Sequence, residues 1–139
     1  MDIVYQDERI VVAIKPAGVI STDVRNGMPE LLRRQLHTDC IRTVHRLDAP
    51  VSGLMVLARS SRAAAEISAQ IRDGAFSKAY LAVLRGHPAE REAELTDLLF
   101  RDAAKNKSYV VKRMRKGVRE ARLSYRVLAE TEGLTLVRV

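Results

Sequence analysis

With 139 residues, 47% of them apolar, the chain is long enough to bury one core and too apolar to be disordered. The apolar run from Leu54 to Ala58 is far too short to span a bilayer, the acidic start MDIVYQDERI lacks the order of a signal peptide, and a single cysteine, Cys40, excludes an internal disulfide. A total of 24 Lys and Arg against 17 Asp and Glu leaves a net charge of +7, a balance that attracts polyanions and weakens with salt.

These bounds imply a cytoplasmic protein with no membrane partner. In chain order, IVYQDERIVVAIKP predicts a hairpin, two β-branched runs around a polar turn with Pro16 closing the second strand. KPAGVIS is a turn, and Asn26-Gly27 marks another. Pro29 then opens a short helix through Leu36. HRLD forms a loop, followed by GLMVLAR, an interior strand expected to be fully buried. SSRAAAEISAQIRDG predicts a helix capped by Ser60 or Ser61 and ended by Gly74, with Ala63 or Ala64, Ile67 and Ile71 on one face. FSKAYLAVLRG alternates so as to be apolar on both faces of a strand. ELTDLLF, KSYVVKR, ARLSYRVLAE and LTLVRV are further strands. The expected architecture is one α+β domain over 1–139, a mixed and mostly antiparallel sheet with flanking helices.

Between Arg101 and Arg126 lie ten basic residues against Asp102 and Glu120. Within them KRMRKG reads as a hairpin tip, and Lys112, Arg113, Arg115 and Lys116 are candidates for phosphate contact. A solvated loop kept soluble by charge is the plainer alternative, but the basic excess of the whole chain is concentrated here, which favours phosphate contact.

Candidate chemistry is sparse. His37, Asp39, Cys40 and His45 cluster in sequence without the spacing of a zinc site, so no metal is expected. No GxSxG, GxxxxGK[ST] or GxGxxG occurs, so a serine nucleophile of that type and a nucleotide cofactor have no support. Asp48 remains, at a loop tip leading into a strand. It suits a rigidly held catalytic carboxylate, and equally an ion pair with Arg46 or a brace for the turn at Pro50.

The stretch VHRLDAPVSGLMVLA resembles the signature loop of the RluA-type RNA pseudouridine synthases, His-Arg-Leu-Asp followed by Ser-Gly and an apolar strand. Three further segments agree in order: the hairpin ending in Lys15, Pro16 and Gly18; FSKAYLAVLRGH, with Lys78, Tyr80, Ala82 and Gly86 in family positions; and ARLSYRVLAE. The His before Arg-Leu-Asp favours this class over its RsuA-type relatives. The resemblance implies the pseudouridine synthase fold and isomerisation of uridine to pseudouridine in structured RNA, ribosomal or transfer, without cofactors; a monomer is expected, though nothing in the motifs fixes the oligomeric state. It implies catalytic roles for Asp48, as nucleophile at C1′ or base at the 2′ position, and for Tyr80, stacked on the uracil. Arg46 would fill the space the base vacates, His45 would orient the loop or face RNA, and Lys15 and Lys78 would support the site or face RNA.

Two departures stand out. Val51 replaces the usual Thr, which removes a hydroxyl but keeps the shape. The family's later Gly-Arg-(Thr/Ser)-His-Gln-(Ile/Leu)-Arg segment, whose first Arg pairs with the carboxylate, is not reached by Val139. The chain is therefore expected to be the N-terminal part of a longer synthase, the alternatives being an incomplete, inactive member that lacks the later Arg and a non-catalytic RNA-binding module. A structural protein with an accidental HRLD is the remaining and weakest option.

Overall fold

Alternation along IVVAIK and GLMVLA decides the first sheet. In the computed structural model, which describes all 139 residues, β1 (Ile3–Gln6) and β2 (Ile10–Lys15) form the expected hairpin. Asp7 ties its turn by accepting the Arg9 and Ile10 amides, both at 2.7 Å. After α1 (Met28–Leu36) and the short β3 (Arg42–Thr43) comes β4 (Gly53–Ala58), giving the order β1-β2-β4-β3 with every pairing antiparallel. Opposed pairs Val11–Leu57 and Ala13–Met55 put one face of β2 and β4 against α1. There Met28, Leu32 and Ile41 complete a core whose members are all buried. α2 (Ser61–Arg72) lies on the other side of β4, where Ala58 and Ala63 are buried.

β4 is central in its sheet, as expected, but it is not buried on both faces. Leu54 is 57% exposed, because α2 covers only the Ala58 end of that face. The cap of α2 is as the sequence predicts: Ser60 Oγ accepts the Ala63 amide at 3.1 Å. Removing such a cap costs about 1 kcal/mol. Ser60→Ala should lower stability by that amount in urea titration without changing the slope of the transition.

The chain divides into two compact units, Met1–Ser77 and Lys78–Val139. The second is a sheet of β5 (Leu81–Arg85), β6 (Glu92–Asp102), β7 (Lys107–Val110), β8 (Val118–Thr131) and β9 (Leu134–Arg138), in the order β5-β9-β8-β6-β7. All its pairings are antiparallel, so the molecule is α+β with both helices in the first unit. Strand β5 is an edge, and Leu81 and Val83 on one of its faces are exposed rather than packed, since no helix of this unit lies over them.

The sheet order also changes the reading of KRMRKG. β6 separates β7 from β8, so residues 111–117 are no hairpin tip but a strap that crosses β6 from one edge to the other. The Val111 amide donates to Leu98 O at 2.8 Å where the strap begins. Over β6 the Arg115 guanidinium stands 5.1 Å above the Phe100 ring, a stabilising cation–π contact. Gly117 follows at φ +85°, and a side chain there would lie 3.4 Å from the Phe100 ring, so glycine suits the descent into β8.

Candidate active site

Side chains along HRLD alternate in exposure. His45 and Leu47 turn inward, while Arg46 and Asp48 are exposed. Leu47 packs against the core of the first unit. His45 Nε2 accepts the Val56 amide at 3.0 Å, which places its proton on Nδ1, and its ring lies 5.1 Å from that of Phe76. The hydrogen bond to Val56 ties the start of the loop to β4. The alternative of an Arg46–Asp48 ion pair is not realised: the ion pairs of this unit are Arg9–Glu66, Arg33–Asp23, Arg34–Glu30 and Arg62–Glu66. Both Arg46 and Asp48 are left facing outward.

Beneath the loop the alternative of an RNA-facing Lys15 is corrected. Placed opposite Gly53 on the core face of β2, it is 0% exposed and cannot face RNA. Its Nζ donates to the carbonyls of Pro16, Val19 and Ala49 at 3.0, 2.8 and 3.1 Å. Burial lowers its pKa from the ordinary lysine value, and the negative charge of Asp48 opposes that shift. A buried cation thus sits in electrostatic reach of the exposed carboxylate.

The same loop is held elsewhere. The Gly18 amide donates to Ala49 O at 2.7 Å, and the Val51 amide to Asp48 O at 3.0 Å. Ser21, absent from the sequence-based candidates, accepts the Leu47 amide at 3.0 Å and donates to Leu47 O at 2.5 Å. The signal available in sequence was slight: one small polar residue ending the apolar GVIS. Gly53 begins β4 at φ +151°, a conformation that other residues rarely adopt, and a side chain there would touch Leu47. Val51, at the position usually Thr, is exposed, so the missing hydroxyl leaves no buried gap.

The remaining candidates belong to the second unit. Tyr80 precedes β5 and is fixed by two backbone hydrogen bonds with Val139, at 2.8 and 2.9 Å, while its side chain is 40% exposed. Lys78 is exposed and lines a cleft of about 570 Å³ with Glu92, Glu94, Arg126 and Arg138. Not all ten basic residues of the 101–126 segment are unpaired. Arg126 bonds Glu92 at 2.8 Å, Arg122 lies near Glu94 and Glu120, and Arg101 bonds Asn106. Lys112, Arg113 and Lys116 on the strap have no acidic partner and are exposed, as is Arg115 above Phe100.

A family model described as RNA pseudouridylate synthase matches residues 9–139. The chain belongs to the RNA pseudouridylate synthase family. Among curated members it is 40% identical over 96 residues to "tRNA pseudouridine synthase C" of Yersinia pestis, covering 65% of this chain and 37% of that protein. It is 36% identical over 99 residues to "Dual-specificity RNA pseudouridine synthase RluA" of Escherichia coli, covering 69% of this chain and 45% of that one. Such relatives place it in the RluA-type branch of that family, and it spans less than half the length of either. Among solved structures, "Human RNA Pseudouridylate Synthase Domain Containing 4" superposes with a TM-score of 0.80 at 23% identity, over 99% of this chain and 57% of that one. That likeness establishes the pseudouridine synthase fold.

Proposed function

We propose that this chain carries the catalytic carboxylate of an enzyme that isomerises uridine to pseudouridine in structured RNA, ribosomal or transfer. The observation that carries this reading is the placement of Asp48: an exposed carboxylate whose two neighbouring residues, Leu47 and Ala49, are both bonded through their backbones to the first unit's frame. Rigid presentation is what a reacting group needs.

In the proposed reaction the target nucleotide leaves the stack, which costs a few kcal/mol. Asp48 then acts on the ribose, as nucleophile at C1′ or by taking the 2′ proton, and the N1–C1′ bond breaks. The uracil turns while bound, and C5 joins C1′. The proton lost from C5 is balanced by the one gained at N1, so no oxidant, reductant or cofactor enters. Tyr80 supplies a stacking surface for the base and can assist the C5 proton. Arg46, exposed beside Asp48, fills the vacated space in the RNA, a task suited to a planar cation. Lys78 contributes charge for the backbone. We infer a cytoplasmic monomer.

The test is release of tritium from C5-labelled uridine in ribosomal and transfer RNA by the full gene product, with pseudouridine identified in the digested RNA. RNA binding without tritium release would instead establish a non-catalytic binding module.

The strap supplies a separate test of the RNA partner. Every cation removed from a phosphate reduces the slope of log affinity against log salt by about 0.7 to 0.9. Replacing Lys112, Arg113 and Lys116 by Ala should flatten that slope by about 2 to 3 in filter-binding titrations. An unchanged slope would remove the strap from the interface.

A further inference from the structure

We propose that Ser21 is a positioning residue for the carboxylate of Asp48, an inference that rests on the reading of Asp48 as the reacting group. Ser21 lies six residues beyond the end of β2 and is 3% exposed. Its hydroxyl accepts from the amide of Leu47 and donates to the carbonyl of the same residue. An N–H and a C=O of one residue point to the same side only when that residue is extended. One hydroxyl engaging both therefore restrains φ and ψ of Leu47 together.

The Leu47 carbonyl and the Asp48 amide belong to one planar peptide group. Restraining that carbonyl fixes the plane from which the Asp48 Cα projects. On the far side, Asp48 O accepts the Val51 amide at 3.0 Å, which holds the peptide group joining Asp48 to Ala49. Ala49 O beyond it is held by Lys15 Nζ and the Gly18 amide. Asp48 thus hangs between two pinned peptide groups, one of which depends on a single side-chain oxygen. Ser21 is in turn attached to the strand that enters the loop, since its own carbonyl accepts from Thr43 Oγ1 at 3.0 Å. This hydroxyl links the turn after β2 to the loop without touching any position that RNA could reach, so its influence on turnover runs through the direction of Asp48.

The experiment compares Ser21→Ala, Ser21→Thr and Asp48→Asn in the full gene product, at a temperature where thermal melts show each variant folded. Ser21→Ala should lower kcat at saturating RNA by about 10²-fold, the scale of loss when a reacting group shifts by about 1 Å. RNA affinity should be unchanged, and Ser21→Thr, which keeps the hydroxyl, should recover most of the rate. Introduced into Asp48→Asn, the alanine should have no further effect on the residual rate. Should Ser21→Thr melt too low to assay, amide exchange in Ser21→Ala decides: the amides of Leu47 and Asp48 should exchange faster while those of β2 and β4 do not. Unchanged kcat in Ser21→Ala, an effect confined to RNA affinity, or exchange that rises throughout the first unit would each overturn the positioning role. Loss of activity in Asp48→Asn together with full activity in Ser21→Ala would refute this inference alone, whereas full activity in Asp48→Asn would refute the reading beneath it.

Discussion

Asp48→Asn is expected to reduce pseudouridine formation by at least about 10³-fold while leaving RNA binding intact. The amide has nearly the shape of the acid, and the side chain is exposed with no ion-pair partner, so the fold has little to lose. What vanishes is the negative charge, without which position 48 is neither a nucleophile nor a base. Affinity for a polyanion should hold or rise slightly, because a like charge is removed from the surface. The check pairs single-turnover tritium release with a binding titration on the same RNA. Turnover within tenfold of the unsubstituted protein would exclude Asp48 as the reacting carboxylate.

Lys15→Met should have the largest effect on stability among single substitutions near the loop. Methionine fills much of the same volume but donates nothing, leaving the carbonyls of Pro16 and Val19 without the ammonium while Ala49 keeps only the Gly18 amide. Hydrogen bonds from charged donors contribute roughly 1.5 to 3 kcal/mol each, and relief from burying a cation offsets part of the loss. A net destabilisation of roughly 2 to 4 kcal/mol follows, with a fall in melting temperature on the order of 10 °C.

The pH dependence has a definite sign. Because burial lowers the Lys15 pKa in the folded protein, the unfolded chain binds more protons in the window between that lowered value and 10.5. Stability from this group therefore rises with pH through the window, and it is least once pH has dropped below the folded value. The unsubstituted protein should gain stability relative to Lys15→Met as pH increases toward 10 in melts followed by circular dichroism. A constant difference between the two proteins across that range would contradict the buried-cation account.

Much of the first unit was legible because its signals are local. The β1–β2 hairpin, Pro16 after β2, Pro29 at the start of α1 and the Ser60 cap each depend on neighbours within a few residues. Asp48 was legible only as a carboxylate at a loop tip leading into β4, with no sequence signal for the burial of Leu47 beside it. The RNA-facing half of the expectation for Lys15 fails because a lysine in sequence looks like surface charge, and only the carbonyls gathered around its Nζ reveal a buried clamp. Ser21 carries no local signal because its partner, Leu47, is 26 residues away. The strap reads as a hairpin because KSYVV and GVREARL are adjacent in sequence and both extended, while the strand that separates them, β6, comes earlier in the chain. Burial was overestimated for GLMVLA and LAVL, since apolar character says what a face tolerates and not what lies over it.

The route of residues 111–117 also bears on how the second sheet assembles. β6 and β7 are joined by a tight turn and can zip together from their own ends, at little entropic expense. β8 must then be laid along the opposite flank of β6, with the connecting segment folded back across it. β5 waits longest, because its mate β9 is about fifty residues downstream and that long closure pays off only once β9 has joined β8. Growth outward from the middle strand leaves the Tyr80 region as the last to acquire its final shape, so agents that loosen this unit should release the aromatic end before they separate β6 from β7.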